Sequence, residues 1–131
     1  MDLPLQHGII LFGHGSRDER WADPFRRLAS VVRSQRAASG DPGPVGLAFL
    51  ELMEPDLLGA IGIQVESGCG IITVVPVFFG QGAHLRDDLP KLLDACRAAH
   101  PQIEIRTTDA VGEVPTVLAA IAHFCVAQSG A

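Results

Sequence analysis

The sequence predicts an α/β fold: a single three-layer domain, residues 1–131, in which a four-stranded parallel sheet carries helices on both faces. Two observations lead there. Four short apolar runs alternate with four segments of helical period, and 131 residues, 47% of them hydrophobic, suffice for one core. Alternation at this spacing implies right-handed crossovers between parallel strands.

Gly8-Ile9-Ile10-Leu11-Phe12, closed by Gly13, reads as a strand buried on both faces. The first helix places Phe25, Leu28, Ala29 and Val32 on one stripe, with Arg26, Arg27, Arg33 and Arg36 off it. Asp23-Pro24 suits its N-cap and first turn, and Asp18 is an alternative start one turn earlier. The run Gly40 to Pro44 stops it. Val45 to Leu50 is the second strand, ending at Glu51. Pro55 opens the second helix, Leu57, Leu58, Ile61 and Val65 form its apolar face, and Gly68 closes it. Ile71 to Phe79 is the most apolar strand and is expected to be central, with Pro76 marking a strand end or bulge. Gly80 to His84 reads as a loop. The third helix carries Leu89, Leu92, Leu93 and Cys96 on one face, with Asp87 and Asp88 in its first turn. Ile103 to Thr107 is the fourth strand, and the last helix uses Val117, Leu118, Ile121 and Cys125.

Composition excludes several function classes. A balance of 10 basic against 15 acidic residues, with no basic run, argues against a nucleic-acid partner. No apolar run approaches the roughly 18 residues of a membrane span, and Met1 to His7 lacks the character of a signal peptide, so a cytoplasmic protein without membrane association is expected. Three cysteines without a CxxC pair read as small buried hydrophobes, not as a disulfide framework. Gly80 and Gly82 do not open a dinucleotide fingerprint, because Leu85 stands where the third glycine belongs, and there is no phosphate-binding P-loop. No organic cofactor is expected.

In an open parallel sheet, ligands bind beyond the carboxyl ends of the strands. That edge collects Gly13-His14-Gly15-Ser16-Arg17 after the first strand, Glu51 after the second, Gln81, His84 and Arg86 after the third, and Asp109 and Glu113 after the fourth. Two imidazoles and a carboxylate suit a borderline divalent metal such as cobalt, nickel, iron or zinc. Glycines 13, 15, 80 and 82 clear bulk around the two histidines, which permits close approach by a large flat ligand or special backbone angles. The competing readings are plain: His14 as a cap or surface residue, Glu51 as a helix cap, Arg17 and Arg86 as solvated charges. Ser16 lacks a nucleophile elbow and reads as a loop hydrogen-bonding residue. His7, His100 and His123 read as structural or solvated. His14-Gly15 also invites comparison with the Arg-His-Gly of histidine phosphatases, but Gly13 occupies the place of the arginine.

The segments Gly8–Asp18, Ala48–Pro55 and Val75–Pro90 together resemble the small CbiX-type sirohydrochlorin cobaltochelatases, class II chelatases that act on tetrapyrroles. The resemblance implies a chelatase-like half: one lobe per chain, with a homodimer closing the cavity. It implies ATP-independent insertion of a divalent metal, Co²⁺ first and Fe²⁺ or Ni²⁺ by the related sirohaem and F430 enzymes, into sirohydrochlorin. The family's metal-binding histidines fall on His14 and His84, and its helper acid on Glu51. Arg17, Arg86, Ser16 and Gln81 are then candidates for the carboxylate rim of the substrate. A homologue that binds metal or tetrapyrrole without turnover is the alternative. Trp21, Phe78, Phe79 and Leu85 are the expected apolar pairing surface.

Overall fold

A computed structural model describes residues 6–41, 43–80 and 82–130, with the backbone alone at Ala83 and His84. The chain forms β1 (Gln6–Gly13), a 3-10 turn (Glu19–Ala22), α1 (Asp23–Ala38), β2 (Val45–Phe49), α2 (Leu57–Glu66), β3 (Cys69–Pro76), α3 (Ala83–Ala99), β4 (Glu104–Thr107), a second 3-10 turn (Val111–Glu113) and α4 (Pro115–Ser129). The four strands form one parallel sheet in the order β2-β1-β3-β4, so β1 and β3 are central, as their apolar composition requires.

Alternation along the strands divides the core. Ile10 and Phe12 of β1, Ile72 and Val74 of β3 and Ile105 of β4 face a large cluster completed by Leu57, Ala60 and Ile61 of α2 and by Leu85, Leu89, Leu93 and Cys96 of α3. The opposite face is thinner: Leu11, Val45 and Ala29 form its buried centre, with Ile9, Val32, Leu47, Val75 and Val77 around them. There α1 packs over β2 and β1.

Several element boundaries differ from expectation. The Asp56 carboxylate accepts the Gly59 N–H at 2.8 Å and caps α2, so Pro55 stands outside the helix it was expected to open. The third strand runs Cys69–Pro76 and not Ile71 to Phe79, and Pro76, expected as a strand end or bulge, is its end, because proline has no ladder donor to offer. Helix α3 starts at Ala83, so its first turn lacks Asp87 and Asp88, and Pro90 lies inside it. The apolar stripe extends back through Leu85, and that burial outweighs the hydrogen bond lost at Pro90. Before α1, the Asp18 carboxylate accepts from the Arg20 N–H and caps the 3-10 turn and not the helix, while Asp23, expected as the N-cap of α1, is its first residue: the N-cap is Ala22, which offers no side-chain hydrogen bond.

Arg36 was expected off the α1 stripe, yet it is buried. It follows Val32 by four residues and so continues the stripe. Its guanidinium donates to the backbone oxygens of His7 and Pro44 and to Asp41, which satisfies carbonyls at the β1 and β2 entries. The cysteines also divide: Cys69 and Cys96 are buried, whereas Cys125 is exposed. The exposure follows from α4 itself, which has no buried residue and whose principal packing is against the second 3-10 turn.

Candidate functional site at the carboxyl edge of the sheet

His14 leaves β1 at its carboxyl end, and the turn behind it is fixed by Gly15. Gly15 has φ +99°, and a Cβ there would stand 1.9 Å from the Glu51 carbonyl oxygen. Only glycine allows the two loops to approach this closely. The contact is continued by the backbone: Leu50 N–H donates to Gly13 O at 2.9 Å and Glu51 N–H donates to His14 O at 3.2 Å. Pairing between β1 and β2 therefore runs past the sheet edge and carries His14 and Glu51 out side by side. The His14 Nε2 lies 3.4 Å from the Glu51 Oε1, both side chains a little over half exposed.

Beside this pair is a hollow of about 260 Å³ lined by His14, Trp21, Leu50, Val77, Phe78, Gly80, Gly82 and Leu85. Trp21 is held by Phe25, whose ring centroid is 4.7 Å away, and by the edge of Phe49 at 6.3 Å. Gly82 and Leu85 flank the backbone of His84, so the α3 N-terminus that carries the second predicted histidine borders the same hollow as His14. The His84 side chain and all of Gln81 lie outside the described residues. Among the described residues, no group of three His, Cys, Asp or Glu side chains forms a metal cluster.

The other candidates are placed unequally. The Ser16 hydroxyl oxygen accepts the Asp18 N–H at 3.1 Å, which is the loop role expected of it. Arg17 is exposed on the His14 loop. Arg86 borders a different hollow, on the α3–β4 flank with Asp94, Arg97, Thr107 and Thr108. Of the expected pairing surface, Leu85 is buried in the core and Phe78 is half-buried, edge-on to Phe12 at 6.1 Å; both belong to core packing. Trp21 is half-buried as a wall of the hollow, and Phe79 alone of the four stands out, 68% exposed. Leu50 and Val77 are further lining residues that the sequence reading did not single out; their positions at or just beyond strand ends were the available signal.

Known proteins locate this arrangement. The solved structure of a CbiX protein from Marinobacter aquaeolei, described as one of cobalamin biosynthesis, superposes with a TM-score of 0.76 at 32% identity, covering 93% of this chain and 96% of that one. The sirohydrochlorin chelatase SirB from Bacillus subtilis, solved in complex with cobalt, matches with a TM-score of 0.65 at 26% identity, and this chain spans about half of it, 49%. A sirohydrochlorin cobaltochelatase from Saccharolobus solfataricus is 31% identical over 111 residues, 80% of this chain and 82% of that one. Another from Methanopyrus kandleri is 38% identical over 85 residues, with 65% of this chain and 57% of that relative covered. The CbiX family model matches residues 8–125, and the chain belongs to the CbiX family.

Proposed function

We propose that this chain inserts a divalent metal ion, Co²⁺ in the first place, into sirohydrochlorin without ATP or an organic cofactor, as a cytoplasmic homodimer. The observation that carries the reading is the His14–Glu51 pair at the mouth of an apolar hollow, in a chain of the CbiX family. Relatives named sirohydrochlorin cobaltochelatases support the substrate and the metal. SirB has been solved with cobalt and also with Fe³⁺, which supports a site tolerant of neighbouring first-row ions, iron included.

Metallation removes two pyrrole N–H protons and seats the ion in a rigid ring. His14 and His84 hold the ion at the edge of the sheet, facing the macrocycle. As the ion passes to the ring nitrogens, the freed imidazoles accept the protons, since one nitrogen cannot ligate and bind a proton at once. Glu51 balances the charge of the ion and takes protons onward to solvent, for which its exposure suits it. The apolar wall of Trp21, Leu50, Val77 and Phe78 supports a flat ring, and Arg17 and Ser16, on the loop that carries His14, together with Gln81, are the groups proposed to meet the substrate carboxylates. Arg86 can serve the same end by swinging from the α3–β4 flank. Ligand pockets occupy about 300–1,000 Å³ and bury most of their ligand, so a hollow of about 260 Å³ in one chain supports a cavity completed by a second copy.

The test is a single-turnover mixture of the protein, sirohydrochlorin and Co²⁺ followed by absorbance. Protein-dependent metallation without ATP is the expected result. A spectral shift of bound tetrapyrrole with no metal insertion would replace the chelatase with a carrier.

A further inference from the structure

Two apolar side chains stand in water at the carboxyl edge of the sheet, each on a firmly held backbone. Leu52, next to Glu51, is 56% exposed, and Phe79 is 68% exposed. Among the described residues, every other large apolar side chain of comparable exposure lies on a helix.

Leu52 has φ +68°, in the left-handed region, where the Cβ of any residue but glycine crowds the carbonyl that follows. Glycine or asparagine would hold this turn with less strain. The leucine is strained and gains no burial from it. The turn is fastened at both sides: Phe49 N–H donates to Pro55 O at 3.0 Å, and Glu51 N–H donates to His14 O at 3.2 Å. Phe79 is fixed in another way. Gly112 donates its N–H to Phe78 O at 2.9 Å, and a Cβ on it would stand 2.1 Å from the Phe79 Cα. The second 3-10 turn thus packs directly on the backbone that holds Phe79 out. Strain that internal packing does not explain points to a binding role.

The placement of the two residues agrees. The sheet order β2-β1-β3 sets the His14 loop between the loop that carries Leu52 and the loop that carries Phe79. Strands are about 4.8 Å apart, so the two flanking loops leave the sheet about 10 Å from each other, a span that a tetrapyrrole ring bridges. The hollow beside His14 takes its apolar lining mainly from Trp21 and from the β3 side, at Val77, Phe78 and Leu85. Phe78 and Gly80, the neighbours of Phe79, are part of that lining. On the β2 side lies a second hollow of about 340 Å³, where Glu51, Glu54 and Asp56 bring carboxylates and Leu50, Leu52 and Met53 are the apolar groups. Leu50 lines both hollows. A flat ring centred over His14 and Glu51 needs apolar contact on each side of the pair, and the exposed side chains there are Leu52 and Phe79.

We infer that Leu52 and Phe79 determine specificity for the macrocycle: they seat the apolar face of the tetrapyrrole, one on each side of the His14–Glu51 pair. This rests on the chelatase reading above and adds to it the residues that recognise the ring as distinct from the ion.

Two titrations of the full chain test the seat. Metal-free sirohydrochlorin is followed by quenching of the single tryptophan, Trp21, in the hollow, and Co²⁺ alone is titrated separately. Leu52→Asn keeps a residue that accepts the left-handed backbone, and Phe79→Ser removes an exposed ring, so both should fold with an unchanged circular dichroism spectrum. Each should raise the sirohydrochlorin dissociation constant at least fivefold and leave Co²⁺ affinity unchanged. Leu52→Met and Phe79→Leu, which stay apolar, should bind sirohydrochlorin within twofold of wild type. Unchanged sirohydrochlorin affinity in either polar variant overturns the role of that residue. An equal loss of Co²⁺ affinity would make it a shaper of the metal site and overturns the seat. A loss that vanishes at high protein concentration would assign the residue to a contact between copies, which also overturns it. Cobalt insertion on the same samples separates the two readings. Wild type that binds sirohydrochlorin, loses it in the polar variants and inserts no cobalt contradicts the chelatase and supports the seat. Insertion by wild type with normal binding in the variants does the reverse, and a wild type that binds no sirohydrochlorin overturns both.

Discussion

The Nε2 of His14 and the Oε1 of Glu51 stand 3.4 Å apart at the carboxyl edge of the sheet. Two donors on one tetrahedral ion, each about 2.1 Å from it, are separated by about 3.4 Å. The spacing therefore suits a shared first-row ion as well as a carboxylate that orients the ring. In both cases the charge of Glu51 matters more than its shape. Glu51→Gln should weaken Co²⁺ binding and slow insertion by about 10–100-fold, read by titration and by initial rate. His14→Ala removes a donor outright and should cost at least 100-fold in rate. Because His14 lies on an exposed loop, its thermal midpoint should stay within a degree or two of wild type. Equal rates in a folded His14→Ala protein would remove His14 from the site.

Gly15 makes a sharper case, because its substitution acts on geometry and leaves the donors in place. A Cβ at φ +99° meets the Glu51 carbonyl oxygen at 1.9 Å, so the His14 and Glu51 loops must part. Gly15→Ala should cost about 1–3 kcal/mol of stability and should lose insertion activity nearly as fully as His14→Ala. Retained activity with wild-type metal affinity would mean that the spacing of the two loops is unimportant.

The legibility of this chain varied with the range of the interaction. The order of strands and helices, the central position of β3 and the gathering of His14 and Glu51 at one edge all follow from apolar periodicity and the rules of parallel sheets. Helix starts were less legible. Asp56 and Pro55 are adjacent, and only the Asp56–Gly59 hydrogen bond decides which begins α2. Arg36 shows the limit of reading charge as exposure: a guanidinium with five donors can be buried where backbone carbonyls converge, and that convergence is a tertiary fact. Helix α4 shows the converse. Its apolar residues foretold burial, but the covering surface does not come from the packing of this chain on itself.

The burial of Arg36 carries its own prediction. Arg36→Met keeps the aliphatic bulk but removes the guanidinium that donates to the His7 and Pro44 carbonyls, the latter keeping only the Ile9 N–H at 3.0 Å, at a cost of about 2 kcal/mol. The same guanidinium holds the Asp41 carboxyl below its ordinary value of 3.8 through their hydrogen bond. A carboxyl depressed on folding adds stability above its unfolded pKa, and that part is lost as pH falls through the lower folded value. Urea midpoints of wild type and Arg36→Met should therefore differ fully at pH 7 and begin to converge below about pH 4. A gap that stays constant to pH 2.5 would show that Asp41 contributes nothing through Arg36.

At the alkaline end the buried thiols should govern. Burial pushes the Cys96 thiol above its ordinary value of 9.0, and the Asp56 charge adds to this against an opposing influence of Arg97. Burial likewise raises Cys69, with Arg36 opposing. Folded thiols thus keep their protons while unfolded ones release them. The unfolded chain binds fewer protons above about pH 9, so stability must fall from there until the folded thiols ionise as well. Each thiol can contribute a slope of at most about 1.4 kcal/mol per pH unit. Cys125 is exposed on α4 and lies outside the core. Cys96→Ala should start from a lower plateau at pH 8, because it opens a small cavity in the main core, and should then decline less steeply from pH 9 to 10.5. Cys125→Ser should decline in parallel with wild type. Urea denaturation at half-unit steps of pH distinguishes the three curves, and a Cys96→Ala slope equal to that of wild type would assign the alkaline loss to groups other than the core thiol.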